Sequence, residues 1–238
     1  MIACGGILHT MGFLDDLKKQ AQALQKQQRI DEAAFERNAM LTDAACKTVF
    51  QYWLELARDL NVIRPPARGR WVFDAANTLD GMLERLHFED FRIDSRRKRM
   101  RDLELYDHAV ITCWVRGGRR MEITKDFPPE AERVATRIQQ AGIVAPADML
   151  RDDVTGKFRA SRFEFDADVR VGARAVPDHE QGKLQFTTTN FDRLESLIVE
   201  FPAQQVGTEL LDELAKWWLG EPNTFTASGQ IVQVIEPR

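Results

Sequence analysis

Four histidines, His9, His87, His108 and His179, are the side chains of this sequence that titrate near neutrality and bind transition metals. No two lie four residues apart, the spacing with which a helix turns two imidazoles toward one zinc ion. The sequence therefore predicts no metal site, and the histidines are expected at surfaces and strand ends. His108 follows Asp107 and is the leading acid–base candidate. Adjacent side chains on a strand point to opposite faces, which argues against that pair acting together.

Glu164, Asp166 and Asp168 alternate along one stretch and share a strand face, with neighbours about 7 Å apart. Three such carboxylates could hold a hard cation or divide acid and base roles. Arg162, Arg170 and Arg174 occur on the same face, so a solvated surface of cross-strand ion pairs is the expected outcome. Cys4, Cys46 and Cys113 are odd in number and widely spaced, which excludes a disulfide framework and a C-x-x-C zinc knuckle. Cys46 and Cys113 fall in apolar periodic segments, where a thiol serves as a small hydrophobe. Gly5-Gly6 and Gly117-Gly118 belong to no phosphate-binding loop, and the sequence contains no G-x-S-x-G. No cofactor is expected, and the catalytic residues, if any, stay unassigned; the reading leans away from an enzyme.

The largest departure from the average is electrostatic. Residues 92–120 hold nine basic and four acidic side chains, a local +5 within a chain of net charge -4. Arg96, Arg97, Lys98, Arg99, Arg101, Arg119 and Arg120 are the candidate anion-binding residues, since cations gathered at strand turns attract phosphate or acidic surfaces. Aromatic side chains are sparse nearby, which weakens a single-strand nucleic-acid reading.

The elements that position these groups follow from periodicity. Phe13, Leu17, Ala21 and Leu24 recur every three or four residues on a Lys- and Gln-rich segment, a stripe too narrow to bury much area. Phe13, Leu17 and Leu24 are therefore the candidate interaction residues of a helical arm. A second helix is expected to begin at an N-cap Thr42 and to dock through Cys46, Val49, Phe50, Trp53, Ala57 and Leu60. Pro65-Pro66 ends the helical region.

Beyond it the pattern turns to strands. Phe91 to Lys98, Leu103 to Arg116 and Arg119 to Lys125 read as three strands, the last two joined by a hairpin at Gly117-Gly118. A helix follows Pro128-Pro129 and closes at Gly142. Phe163, Phe165, Ala167, Val169, Val171, Ala173 and Ala175 alternate with polar residues, the signature of a long half-buried strand. Strands at Leu184 to Thr188 and Leu197 to Phe201, a helix at Thr208 to Leu219 and a last strand at Gln230 to Ile235 complete the pattern.

The expected fold is α+β: an antiparallel sheet, arranged as two β-meander-plus-helix halves if the similar element order reflects duplication, covered by helices and carrying an N-terminal helical arm. Residues 1–11 are expected to be a disordered leader, 12–66 the arm and docking helix, and 67–238 the α+β domain. No apolar run reaches the roughly 20 residues of a membrane span. The cysteine usage fits a reducing cytoplasmic compartment. The favoured function is a non-catalytic binding protein with a protein partner or a second copy of itself. The alternatives are an anion or nucleic-acid binder using the basic hairpins of residues 92–120, nucleic acid being the less favoured partner, and an enzyme or small-ligand carrier with a pocket between sheet and helices.

Overall fold

A computed structural model describes residues 13–237; the expected leader, with Cys4 and His9, lies outside the described residues. The chain folds as an α+β protein. Helix α1, Phe13–Ile63, is a single helix of 51 residues, about 76 Å long. The sequence divides this region at Thr42, but the helix runs straight through it. Thr42 lies mid-helix and fully buried, and its hydroxyl turns back to the Asn38 carbonyl at 2.8 Å instead of capping a terminus. From Phe35 onward one face is buried: Phe35, Ala39, Thr42, Cys46, Val49, Trp53, Ala57 and Leu60.

A small ribbon follows, β1 (Arg70–Val72) paired with β2 (Thr78–Asp80). The body is a seven-stranded antiparallel sheet built from β3 (Phe88–Met100), β4 (Leu103–Lys125), β5 (Asp148–Arg151), β6 (Phe158–Asp178), β7 (Lys183–Thr189), β8 (Ser196–Pro202) and β9 (Gln230–Ile235). Its order is β3-β4-β6-β7-β8-β9, with β5 paired to the start of β6. Helices α2 (Pro128–Gln140), α3 (Thr208–Trp218) and the short α4 (Phe225–Ser228) join α1 over the core.

Where three strands are expected before α2, the structure has two. Gly117 and Gly118 make no hairpin; β4 continues through them, and residues 117–119 lie opposite Ala167 alone of β6. The pair forms a bulge because Gly118 takes φ +62° and a side chain on Gly117 would sit 2.3 Å from the Ala167 carbonyl oxygen. The partner strand decides the outcome: β6 is 21 residues long and gives β4 something to pair with on both sides of the bulge. The stretch from 88 to 125 thus contributes two strands before α2, whereas four strands, β5 to β8, precede α3.

Alternation in β6 sends Phe163, Phe165, Ala167, Val169, Val171, Ala173 and Ala175 into the core, all nearly or fully buried. Trp53 of α1 meets Phe186 of β7 edge-on, and Phe186 meets Phe201 and Phe225 in the same way. Trp218 stacks on Phe191 at 4.7 Å, while its half-buried neighbour Trp217 meets Phe191 edge-on and stacks on Phe225. One buried polar residue ties the layers together. Asn190, at φ +58°, donates through Nδ2 to the carbonyls of Gln140 and Arg170, and its own carbonyl accepts from the Trp71 indole at 2.9 Å.

Candidate functional site

His179 departs from the surface position expected of it: it is 2% exposed, held between Thr42 Oγ1 at 2.7 Å and the Tyr106 carbonyl at 2.8 Å. Its turn closes beside α1, whose Asn38 also donates to the Glu180 carbonyl. His179 is thus a clamp between helix and sheet. Asp107 and His108 do meet, Nδ1 to Oδ2 at 3.0 Å, although strand alternation argues against it. Asp107 is the extra residue of a bulge opposite Arg96 and Arg97, and a bulge suspends the alternation. Lys98 also pairs with Asp107 at 2.9 Å, and these contacts, led by that of Lys98, hold its carboxyl below the usual range. This pair is one link of a surface network and opens onto no enclosed chamber.

The two described cysteines are buried thiols. Burial, reinforced by Asp43 and opposed by Arg97, pushes Cys46 up to about 12. Burial raises Cys113 well above its ordinary value. Neither is a nucleophile at neutral pH. Among the described residues no group of three or more His, Cys, Asp or Glu side chains is placed to hold a metal ion.

The carboxylates of β6 face solvent and are matched mainly from the neighbouring strand. Arg116 reaches Asp168 at 2.8 Å, and Arg120 reaches Glu164 at 3.0 Å, with Arg162 3.7 Å from Glu164. Arg170 and Arg174, expected to share this task, pair with no carboxylate among the described residues.

The basic side chains of residues 92–120 are not brought into one patch. Arg96, Arg97, Lys98, Arg99 and Arg101 gather at the β3–β4 turn, whereas Arg119 and Arg120 sit at the glycine bulge near the other end of β4. Nearly all are engaged. Arg97 lies over the Tyr106 ring and approaches Asp43; Lys98 pairs with Asp107 and Arg99 with Asp102. Arg101 lies 3.7 Å above the Phe35 ring, Arg119 grips Glu84, and Arg120 grips Glu164. Arg96 alone of the seven makes no such contact among the described residues. Each neutralised cation is one that no longer releases counterions on meeting a phosphate.

The arm residues behave differently. Every residue from 13 to 33 is exposed, including Phe13 at 80%, Leu17 at 47% and Leu24 at 65%. The first contact of α1 with the body is the Arg101–Phe35–Leu105 cluster at the β3–β4 turn. Ahead of it, roughly 30 Å of helix extends with every side chain from 13 to 33 exposed. The depressions found on the surface, of about 190 to 580 Å³, lie along the outer sheet face, beside α2 and between the arm and the β3–β4 turn. Between sheet and helices, large aromatic side chains such as Trp53, Trp71, Phe73, Phe163 and Phe186 fill the space where the alternative reading expected a pocket.

Comparison with protein-family models, with curated proteins and with solved structures finds no match to this chain.

Proposed function

We propose that the chain is a non-catalytic interaction protein whose docking element is the projecting half of α1. The observation that carries this reading is the exposure of every residue from 13 to 33 on a helix that is anchored firmly only from Phe35 onward. A lone helix of that length is marginal in water, and its cohesion comes from packing an amphipathic face. The stripe of Leu17, Ala21 and Leu24 supplies such a face at the width of a two-helix seam.

A second copy of the chain is the partner that the apolar stripe fits. Antiparallel pairing centred near Ala21 sets Leu17 beside Leu24 of the other copy. Light scattering on the full chain and on residues 34–238 tests this reading. The expected result is a dimer that becomes a monomer on truncation, with an unchanged unfolding midpoint. A full chain that stays monomeric at tens of micromolar would overturn it.

A further inference from the structure

We propose that the outer face of the sheet carries a binding site for a small organic oxyanion, centred on Gly172 and gripped by Arg170 and Arg174. The register builds the site. On β6 the outward positions run Arg170, Gly172, Arg174; on β4 the residues opposite them are Trp114, Thr112 and Val110. On the other side, Thr189 lies opposite Gly172 and Thr187 opposite Arg174. The place of Thr187 and Thr189 next to Arg170 is taken by the end of α2, whose Ala141 carbonyl accepts the Arg170 N–H at 2.8 Å. Gly172 is thus the one position of this lattice without a side chain. The result is a depression of about 250 Å³ lined by Val110, Thr112, Gln140, Arg170, Arg174 and Thr189, among others.

Gly172 is confined to glycine by its neighbours, since a Cβ there would lie 2.7 Å from the Ile111 carbonyl oxygen and 2.9 Å from a Thr112 methyl. The notch is therefore built into the sheet and does not depend on a rotamer.

Charge and hydrogen bonding specify the ligand. The lining residues contain two arginines and no acid. Arg170 makes no ion pair or side-chain hydrogen bond among the described residues, and the guanidinium of Arg174 meets only the His108 ring, at 3.2 Å. The two Cα atoms stand about 13 Å apart along the strand, so the long side chains can close on one anion from opposite ends. Thr189 is aimed by a relay: Gln140 Nε2 donates to Ser196 Oγ at 2.9 Å, and Ser196 Oγ donates to Thr189 Oγ1 at 3.3 Å. The proton of Thr189 is then free to point into the notch. Thr187 adds a hydroxyl with no other partner among the described residues, and the Thr112 methyl beside Gly172, with Val110, gives the rest of the wall an apolar surface. Two cations, the hydroxyls of Thr187 and Thr189 and an apolar floor suit a carboxylate or phosphate on a short carbon skeleton. The neutralised cations of the β3–β4 turn lack this combination.

Calorimetric titration of the full chain with succinate and, separately, with inorganic phosphate at constant ionic strength tests the site. Saturable binding of either probe is expected. Preference for succinate would identify a carboxylate ligand, and preference for phosphate a phosphoester. The R170Q/R174Q variant should raise the Kd at least tenfold and Thr189→Val several-fold, with the unfolding midpoint unchanged in both. Removing residues 1–33 should leave the Kd unaltered, which separates this site from the arm. Absence of saturable binding by both probes, or an R170Q/R174Q variant that binds as tightly as the parent, would overturn the proposal.

Discussion

Thr42 Oγ1 and His179 Nδ1 lie 2.7 Å apart in the interior, joining the middle of α1 to the turn after β6 across 137 residues of sequence. The Tyr106 carbonyl can only accept, so His179 Nε2 carries a proton. In the neutral ring Nδ1 is an acceptor, and the single Thr42 proton lies between it and the Asn38 carbonyl, 2.8 Å from the same hydroxyl. Thr42→Val leaves this buried nitrogen without a donor and is expected to cost about 1–3 kcal/mol in urea unfolding. Thr42→Ser keeps the hydroxyl and should recover most of the loss. Equal destabilisation by the two variants would assign the effect to packing of the threonine methyl.

The alternation of β6 predicts opposite sensitivities at adjacent positions. Val169 is fully buried, and Val169→Asp places an unpaired charge in the core, at a cost of about 3–5 kcal/mol. Asp168 faces solvent in a pair with Arg116, so Asp168→Val should cost about 1 kcal/mol or less. Denaturation curves of the two variants check the register directly.

Asp74 gives stability a dependence on pH. Burial pushes its carboxyl up, but hydrogen bonds from Asn77, Lys125 and the Ala76 and Asn77 amides outweigh burial and hold it below the usual range. A depressed folded value means that the stabilisation is complete above about pH 5 and is lost as the pH falls below about 4. Asp74→Asn keeps an acceptor oxygen but removes the charge facing Lys125. The variant should lose about 1–3 kcal/mol at pH 7, and the gap from the parent should narrow as the pH falls below about 4, as read by urea unfolding at each pH.

The buried thiols predict a chemical silence. With Cys46 raised to about 12 and Cys113 well above its ordinary value, neither should be alkylated by iodoacetamide at pH 8 in the folded protein. Both should react fully in guanidinium. Mass spectrometry of the labelled peptides before and after unfolding distinguishes the two states.

Among the described residues strand β9 pairs on one side only, with β8, and it exposes Ile231, Val232, Val234 and Ile235 with no charge among its six residues. Such an edge templates further pairing. Val232 falls at a bulge and has no partner in β8, so Val232→Lys should leave the unfolding midpoint within about 0.5 kcal/mol of the parent. It should also raise the temperature at which heated samples scatter light. An unchanged onset of scattering would show that aggregation starts elsewhere.

Local chemistry was enough to read much of this protein. Two-residue alternation located β6 and its buried face, Pro128-Pro129 opened α2, and the composition of Gln230 to Ile235 marked β9. The exposed stripe of Phe13, Leu17 and Leu24 was also legible, because a helix with so few apolar residues has little to bury. What sequence could not supply was the identity of each residue's neighbour. Gly117-Gly118 became a bulge because β6 is long enough to pair beyond it. Asp107 met His108 because Arg96 and Arg97 set a bulge opposite. Thr42 stayed within a helix because His179, far away in sequence, meets its hydroxyl. The Gly172 notch likewise exists only in three adjoining strands: glycine supplies the gap, and Thr112, Thr189, Arg170 and Arg174 become its walls through register alone. Backbone preference acts over a few residues, whereas pairing and burial are settled across the whole sheet.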